Sequence, residues 1–313
     1  MANFLKPSLP WLRTVRPASP RLLALFLVLN TALLFVFRTP TFHQYVSGPV
    51  ESGTGGLIPH VLLANLIAAA VLIGGLIVGL GGLRWKDVGV PLGWRGAWQV
   101  LNAVLVTYTL WACAQLVLAL HGWAVPGTLD YNPDWVGFTD EHRSTIADSM
   151  TAFFGSALVE EVKYRGFLLA QLFLLANHWV LSGSGRTAVR RRLWIAVVGS
   201  QFVFGLNHLP AGIDTGFTGW TLCLYIVQVG FVGVVFAILY LRTGNLFIVV
   251  GAHALINDPM PLYLSRLDPR FVSLTLVLAL LLAWPMLKSV FHHVLAVDRL
   301  RALSRLHRKT QPK

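Results

Sequence analysis

Glu160, Glu161, Lys163 and Arg165 stand within six residues of one another inside the apolar run MTAFFGSALVEEVKYRGFLLAQLFLLANHWV. A charge at the centre of a membrane-spanning helix costs about 2.5–3.5 kcal/mol on insertion scales, so ionisable residues there normally face a bundle interior or a wet cavity and mark function. Helical spacing sorts the four. Glu161 and Arg165 are four residues apart, in the order that favours an ion pair along one helix face, which reads as structural support. Glu160 points elsewhere, at about 100° per residue. Its neighbours at three and four residues are Lys163 and Tyr164. That leaves its carboxylate free to face a cavity beside one cation or hydroxyl, and makes it the better candidate base.

Two further apolar segments carry imidazoles. In QFVFGLNHLP, Phe204 and His208 share a face, and His208 precedes the break at Pro210. In NLFIVVGAHALIND, His253 and Asn257 share a face. Each alone also reads as a packed, hydrogen-bonded polar residue or as interhelical glue. Together, one carboxylate, two imidazoles and an amide on three segments match the needs of peptide hydrolysis: a base for water and donors for an oxyanion. Glu160, His208 and His253 could alternatively hold a divalent metal such as zinc, with a water in an open position.

At these residues the chain resembles the CAAX-protease and bacteriocin-processing (CPBP) family of intramembrane proteases, whose eukaryotic members trim prenylated proteins. EExxxR stands as Glu160–Arg165, FxxxH as Phe204–His208 and HxxxN as His253–Asn257, in the family's order, within a core of about residues 150–258. The resemblance implies an all-α, eight-helix membrane fold in which Glu160 and His208 activate a water. His253 and Asn257 would form the oxyanion pocket, with Glu161 and Arg165 in support. It leaves metal dependence open; the scarcity of hard ligands beyond Glu160 and the two histidines favours a metal-free site. Lys163 departs from the family motif, where an apolar residue is common.

The rest of the chain must position these groups in a bilayer. Of 313 residues, 55% are hydrophobic and only 12% charged, about half the charge of a soluble protein; the chain reads as a single polytopic membrane domain. Spans need about 20 apolar residues. Candidates lie at 22–37, 57–83, 97–120, 149–178, 193–209, 220–241, 246–257 and 271–290, about eight in all, leaving 121–148 as the one sizeable loop. With this count, nineteen Lys and Arg fall on the side of both termini, while Arg38, Arg143, Arg266 and Arg270 fall opposite, together with most of the acids. That asymmetry predicts cytoplasmic termini. It accounts for the net charge of +12 without nucleic acid. The basic tail, 291–313, reads as a cytoplasmic topogenic segment, with binding of anionic lipid as a sharper alternative. The first run has no small-residue cleavage site after it and is expected to be retained. Cys113 and Cys223, both in apolar runs, support no disulfide framework.

The expected protein is therefore an intramembrane endopeptidase. Its partners are the bilayer and a peptide or protein substrate, lipidated and membrane-anchored chains included. Its site should lie in the outer half of the bilayer, open to the extracytoplasmic face. Two other classes compete: an ion-coupled transporter using the same buried Glu, His and Arg, and a non-catalytic scaffold or immunity protein on the same fold. Against the first stands the lack of a matching interrupted helix in the other half of the chain; against the second, the intact Glu160, His208, His253 and Asn257.

Overall fold

The computed structural model describes residues 14–125, 130–132, 140–179 and 186–286, with backbone alone for 140–144, 178–179 and 186. The tail 291–313 and its basic residues lie outside the described residues. Ten helices, besides a short helical turn at Trp85–Val88, account for most of the described chain. They are α1 (Pro20–Val36), α2 (Pro40–Gly53), α3 (His60–Leu80), α4 (Trp94–Ala124), α5 (140–179), α6 (Arg186–Leu206), α7 (Leu209–Asp214), α8 (Gly219–Thr243), α9 (Leu246–Asn257) and α10 (Pro269–Met286).

Local signals set the helix ends. Ser19 Oγ accepts from the amide of Leu22 at 3.1 Å with Pro20 in the first turn, which starts α1. Thr39 caps α2 in the same way, ahead of Pro40. The side chain of Asn245 caps α9, accepting from the amide of Phe247 at 3.0 Å.

Five helical stretches are long and apolar enough to cross a membrane: α3, α4, α6 running on into α7, α8 and α10. The pair α1 and α2, bent by 71° at their junction, makes a sixth if it counts as one span. This is an integral, multi-pass membrane protein; among the described residues length and apolar character identify five spans, six with the bent pair, and do not by themselves confirm the expected eight. α9 has only 12 residues. α5 carries Glu160, Glu161, Lys163 and Arg165, which interrupt any long apolar window. The loop expected at 121–148 is also shorter, because α5 begins at residue 140. A polar helical extension is invisible to a search for apolar runs, although acids in the first turn, as in Asp140-Glu141, suit a helix N-terminus.

α9, buried along most of its length, is the element around which the others assemble. It packs on α4, on α5 and on α8, while α6 packs on α5 and α8. Phe26, Leu72, Ile77, Phe167, Phe204, Phe236 and Val249 lie in the resulting core. The contact between α9 and α4 is close: a methyl group on Gly251 would land on Thr107 Oγ1 and come within 3.0 Å of Thr107 Cβ. Gly251→Ala is expected to lower stability in detergent by about 1–3 kcal/mol through overpacking. Adding Thr107→Ala should recover part of that loss in a thermal-unfolding double-mutant cycle; simple additivity would mean that the two helices do not meet here.

Beyond α9 the chain is tied to α4. Trp111 Nε1 and Gln115 Nε2 donate to the Met260 carbonyl at 3.2 and 3.4 Å, and Gln115 Oε1 accepts from the amide of Leu262 at 2.7 Å. Tyr263–Leu264 then pairs antiparallel with Asp130–Tyr131, a two-stranded ribbon at this end of the bundle. These ties hold the C-terminal end of α9, and with it Asn257. Cys113 and Cys223 are both free and exposed.

Candidate active site

The Glu-bearing turn of α5, Leu158–Glu161, has π-helical turns on both sides, Thr151–Ala157 and Val162–Leu168. Such wider turns rotate each residue by less than the α-helical step and gather at functional sites. Glu161 sits at the centre of the polar core with its side chain fully buried. Its Oε1 accepts from Arg165 Nη1 at 2.8 Å and from His253 Nδ1 at 2.7 Å. The ion pair expected from the i, i+4 spacing is therefore formed.

Arg165 is also fully buried and is held on three sides. Its Nη2 donates to the Gly233 carbonyl at 3.1 Å, and its guanidinium lies 4.4 Å from the ring centre of Phe204 and 5.4 Å from that of Phe236. A side chain on Gly233 would meet Gln201 Oε1 at 2.6 Å, Phe204 at 2.9 Å and Arg165 Nη2 at 3.1 Å. Only a bare backbone lets α8 come this near. The imidazole of His253 stacks on Phe236, with ring centres 4.7 Å apart.

A carboxylate only accepts, so the hydrogen bond to Glu161 places a proton on Nδ1 of His253 and turns Nε2 the other way. Nε2 lies 3.8 Å from Glu160 Oε2. The two adjacent glutamates thus reach opposite nitrogens of one ring. Their contacts and burial differ, yet they share a partner on another helix that the spacing could not show. Glu160 is the more open of the two, its side chain 19% exposed.

His208 follows the end of α6, with its ring 4.6 Å from that of Phe204. Its Nδ1 lies 2.9 Å from the Phe204 carbonyl and so carries the donated proton, which leaves Nε2 as the free acceptor. His208, His253 and Asn257 line one cavity of about 680 Å³. Ser156, Tyr225 and Gln228 complete its polar wall, and Asp148, Asp258 and Arg270 stand toward the ribbon end. Burial, and then the nearby Asp258, push the Asp148 carboxyl above its usual range.

Lys163 and Tyr164, expected beside Glu160, turn to other partners. Lys163 is buried and donates to Asn30 Oδ1 of α1 at 3.2 Å. Tyr164 Oη accepts from Asn207 Nδ2 at 2.6 Å, next to His208. The cation that departs from the family motif thus ties α5 to α1. Asn30, Asn207, Gly233 and Phe236 were not among the expected site residues. Asn30 did leave a signal, a lone amide in the apolar run LFLVLNTALLF. Gly233 and Phe236 left none, being a glycine and an aromatic among many.

Among the described residues, no group of three or more His, Cys, Asp or Glu side chains is placed to hold a metal ion.

His208, His253 and Asn257 thus line one cavity, and His253 holds contacts with both Glu160 and Glu161. Residues 142–257, rather more than a third of the chain, match the family model described as type II CAAX prenyl endopeptidase Rce1-like. All three motifs fall inside that segment, and the match supports a CAAX/CPBP family protease. No match to the chain was found among curated proteins. None was found among solved structures.

Proposed function

We propose that the chain is an intramembrane endopeptidase in which Glu160 and His208 activate a water, while His253 and Asn257 stabilise the oxyanion. The observation that carries this reading is convergence: His208, after α6, and His253 and Asn257, on α9, line one cavity, with Glu160 Oε2 3.8 Å from His253 Nε2. Glu160 takes a proton from the water, which His208 orients through its unshared Nε2. As the tetrahedral intermediate forms, Asn257 Nδ2 and the Nε2 of His253, its ring held as the imidazolium with the other proton shared with Glu161, are the donors to its oxygen. Arg165 and Glu161 hold the His253 ring against Phe236. The attacking water's proton then passes to the leaving amine, which closes the cycle. No step runs through a metal, so activity should withstand chelators; loss with a chelator and recovery with Zn²⁺ would reject this route. Terminal-peptide proteomics of cells carrying wild type against Glu160→Gln tests the function directly. New termini on membrane-associated or exported proteins in the wild type alone are expected; identical sets would reject the reading.

Asp148, Asp258 and Arg270 line the cavity toward the ribbon end of the bundle. With the termini cytoplasmic, that end is extracytoplasmic, and the substrate is an exported or anchored chain cut in the outer half of the bilayer. In a background with Cys113 and Cys223 replaced by Ala, cysteines at Leu209 and at Ile213, which is 55% exposed, should react with an impermeant thiol reagent on intact cells. Cysteines at Thr187 or Ala188 should not. The reverse pattern would overturn both the orientation and the substrate class.

A further inference from the structure

Basic residues are scarce on the side of the bundle opposite the termini, and one of the few there, Arg38, stands at the bend between α1 and α2. The bend of 71° opens a wedge at this level. A second cavity, of about 610 Å³, occupies it among α1, α2, the start of α3 and the end of α7. None of its described lining residues lines the site cavity.

Its walls divide by chemistry. Its lining is polar at Arg38, His43 and His60, with Asp214 paired to Arg38, and apolar at Leu34, Val61 and Ala64; Leu34 and Ala64 lie about one helical turn from Arg38 and His60. Val61 is 49% exposed, so the apolar side opens to the lipid. α1 has 17 residues, a rise of about 25 Å, which sets Arg38 at headgroup level.

The histidines are fixed from behind. Buried Ser47 has its Oγ 2.6 Å from His60 Nδ1 and 3.2 Å from His43 Nδ1. A hydroxyl has one proton, so it donates to at most one ring. A neutral ring that accepts it carries its own proton on Nε2, on the far side of the ring from Ser47. The ring centres are 5.5 Å apart and the rings diverge from the shared oxygen, a geometry for contacting two oxygens of one anion rather than for chelating one metal. Arg38 adds a five-donor fork of which Asp214 takes only part.

We propose that this wedge binds an anionic phospholipid, with its phosphate against Arg38, His43 and His60 and an acyl chain along Leu34, Val61 and Ala64. Free phosphate shares the polar chemistry and lacks the chain. The test uses delipidated full-length protein in detergent, titrated with phosphatidylglycerol, phosphatidylcholine or inorganic phosphate and followed by native mass spectrometry and thermal unfolding. Phosphatidylglycerol should bind at least about tenfold more tightly than phosphatidylcholine and raise the melting temperature. Arg38→Gln and His60→Gln should each weaken it by about tenfold, the loss of one charge-assisted hydrogen bond. Val61→Trp, which fills the chain side, should weaken phosphatidylglycerol without altering phosphate. His43→Gln, at an exposed position, serves if Arg38→Gln fails to fold through loss of the Asp214 pair. Equal binding of the two lipids, full stabilisation by phosphate alone, or variants that bind like wild type would each overturn the proposal.

Discussion

Glu160→Gln is expected to lower peptide cleavage by about 10²- to 10⁴-fold, the usual contribution of a positioned general base, while leaving thermal unfolding unchanged. The amide keeps the shape of the carboxylate but cannot take a proton from water. Folding should be indifferent because Glu160 is not part of the buried pair: it stands 3.8 Å from His253 with its side chain partly exposed. Cleavage is to be measured on membranes or in detergent with matched amounts of folded protein. Wild-type cleavage by Glu160→Gln would remove Glu160 from the mechanism, and an equal loss of cleavage and of thermal stability would make it structural.

Glu161→Gln should behave in the opposite manner, losing stability first. Its Oε1 is the common acceptor for Arg165 and His253, and both members of the ion pair are fully buried. Breaking a buried pair from one side leaves an uncompensated charge and costs about 3–5 kcal/mol, to be read as a fall in melting temperature or in folded yield. Removing both charges should reverse most of that: Glu161→Leu with Arg165→Leu is expected to unfold closer to wild type, since an apolar pair of similar volume needs no compensation. Cleavage by this double variant should stay low because His253 has lost the acceptor that fixes its ring. Recovery of stability together with activity would show that Glu161 contributes only to folding.

Much of this was legible in the chain. The spacings of Glu161 and Arg165, of Phe204 and His208, and of His253 and Asn257 each put two side chains on one helix face, because about 100° of turn per residue is a local property of the backbone. The 246–257 span matches α9, where Asn245 caps the start, and the ends of α8 fall within two residues of the expected 220–241. Apolar runs show themselves wherever a helix meets lipid. They failed at the start of α5, whose polar first turns lie beyond the apolar stretch, and at the α1–α2 junction, where the chain bends by 71° at the Thr39 cap ahead of Pro40.

The sequence by itself determined which residues are chemically able to act and on which helix faces they lie. Only the tertiary structure decided which of them meet. That Glu160 and Glu161 flank one imidazole, that Lys163 turns to Asn30, and that Tyr164 binds Asn207 beside His208 all depend on how far each helix is rotated and how deep it sits against its neighbours. Those rotations and depths are set at close approaches such as Gly233 on Arg165 and Gly251 on Thr107. A glycine carries no sign in sequence of which helix will come near it, since small residues let backbones meet without naming the partner.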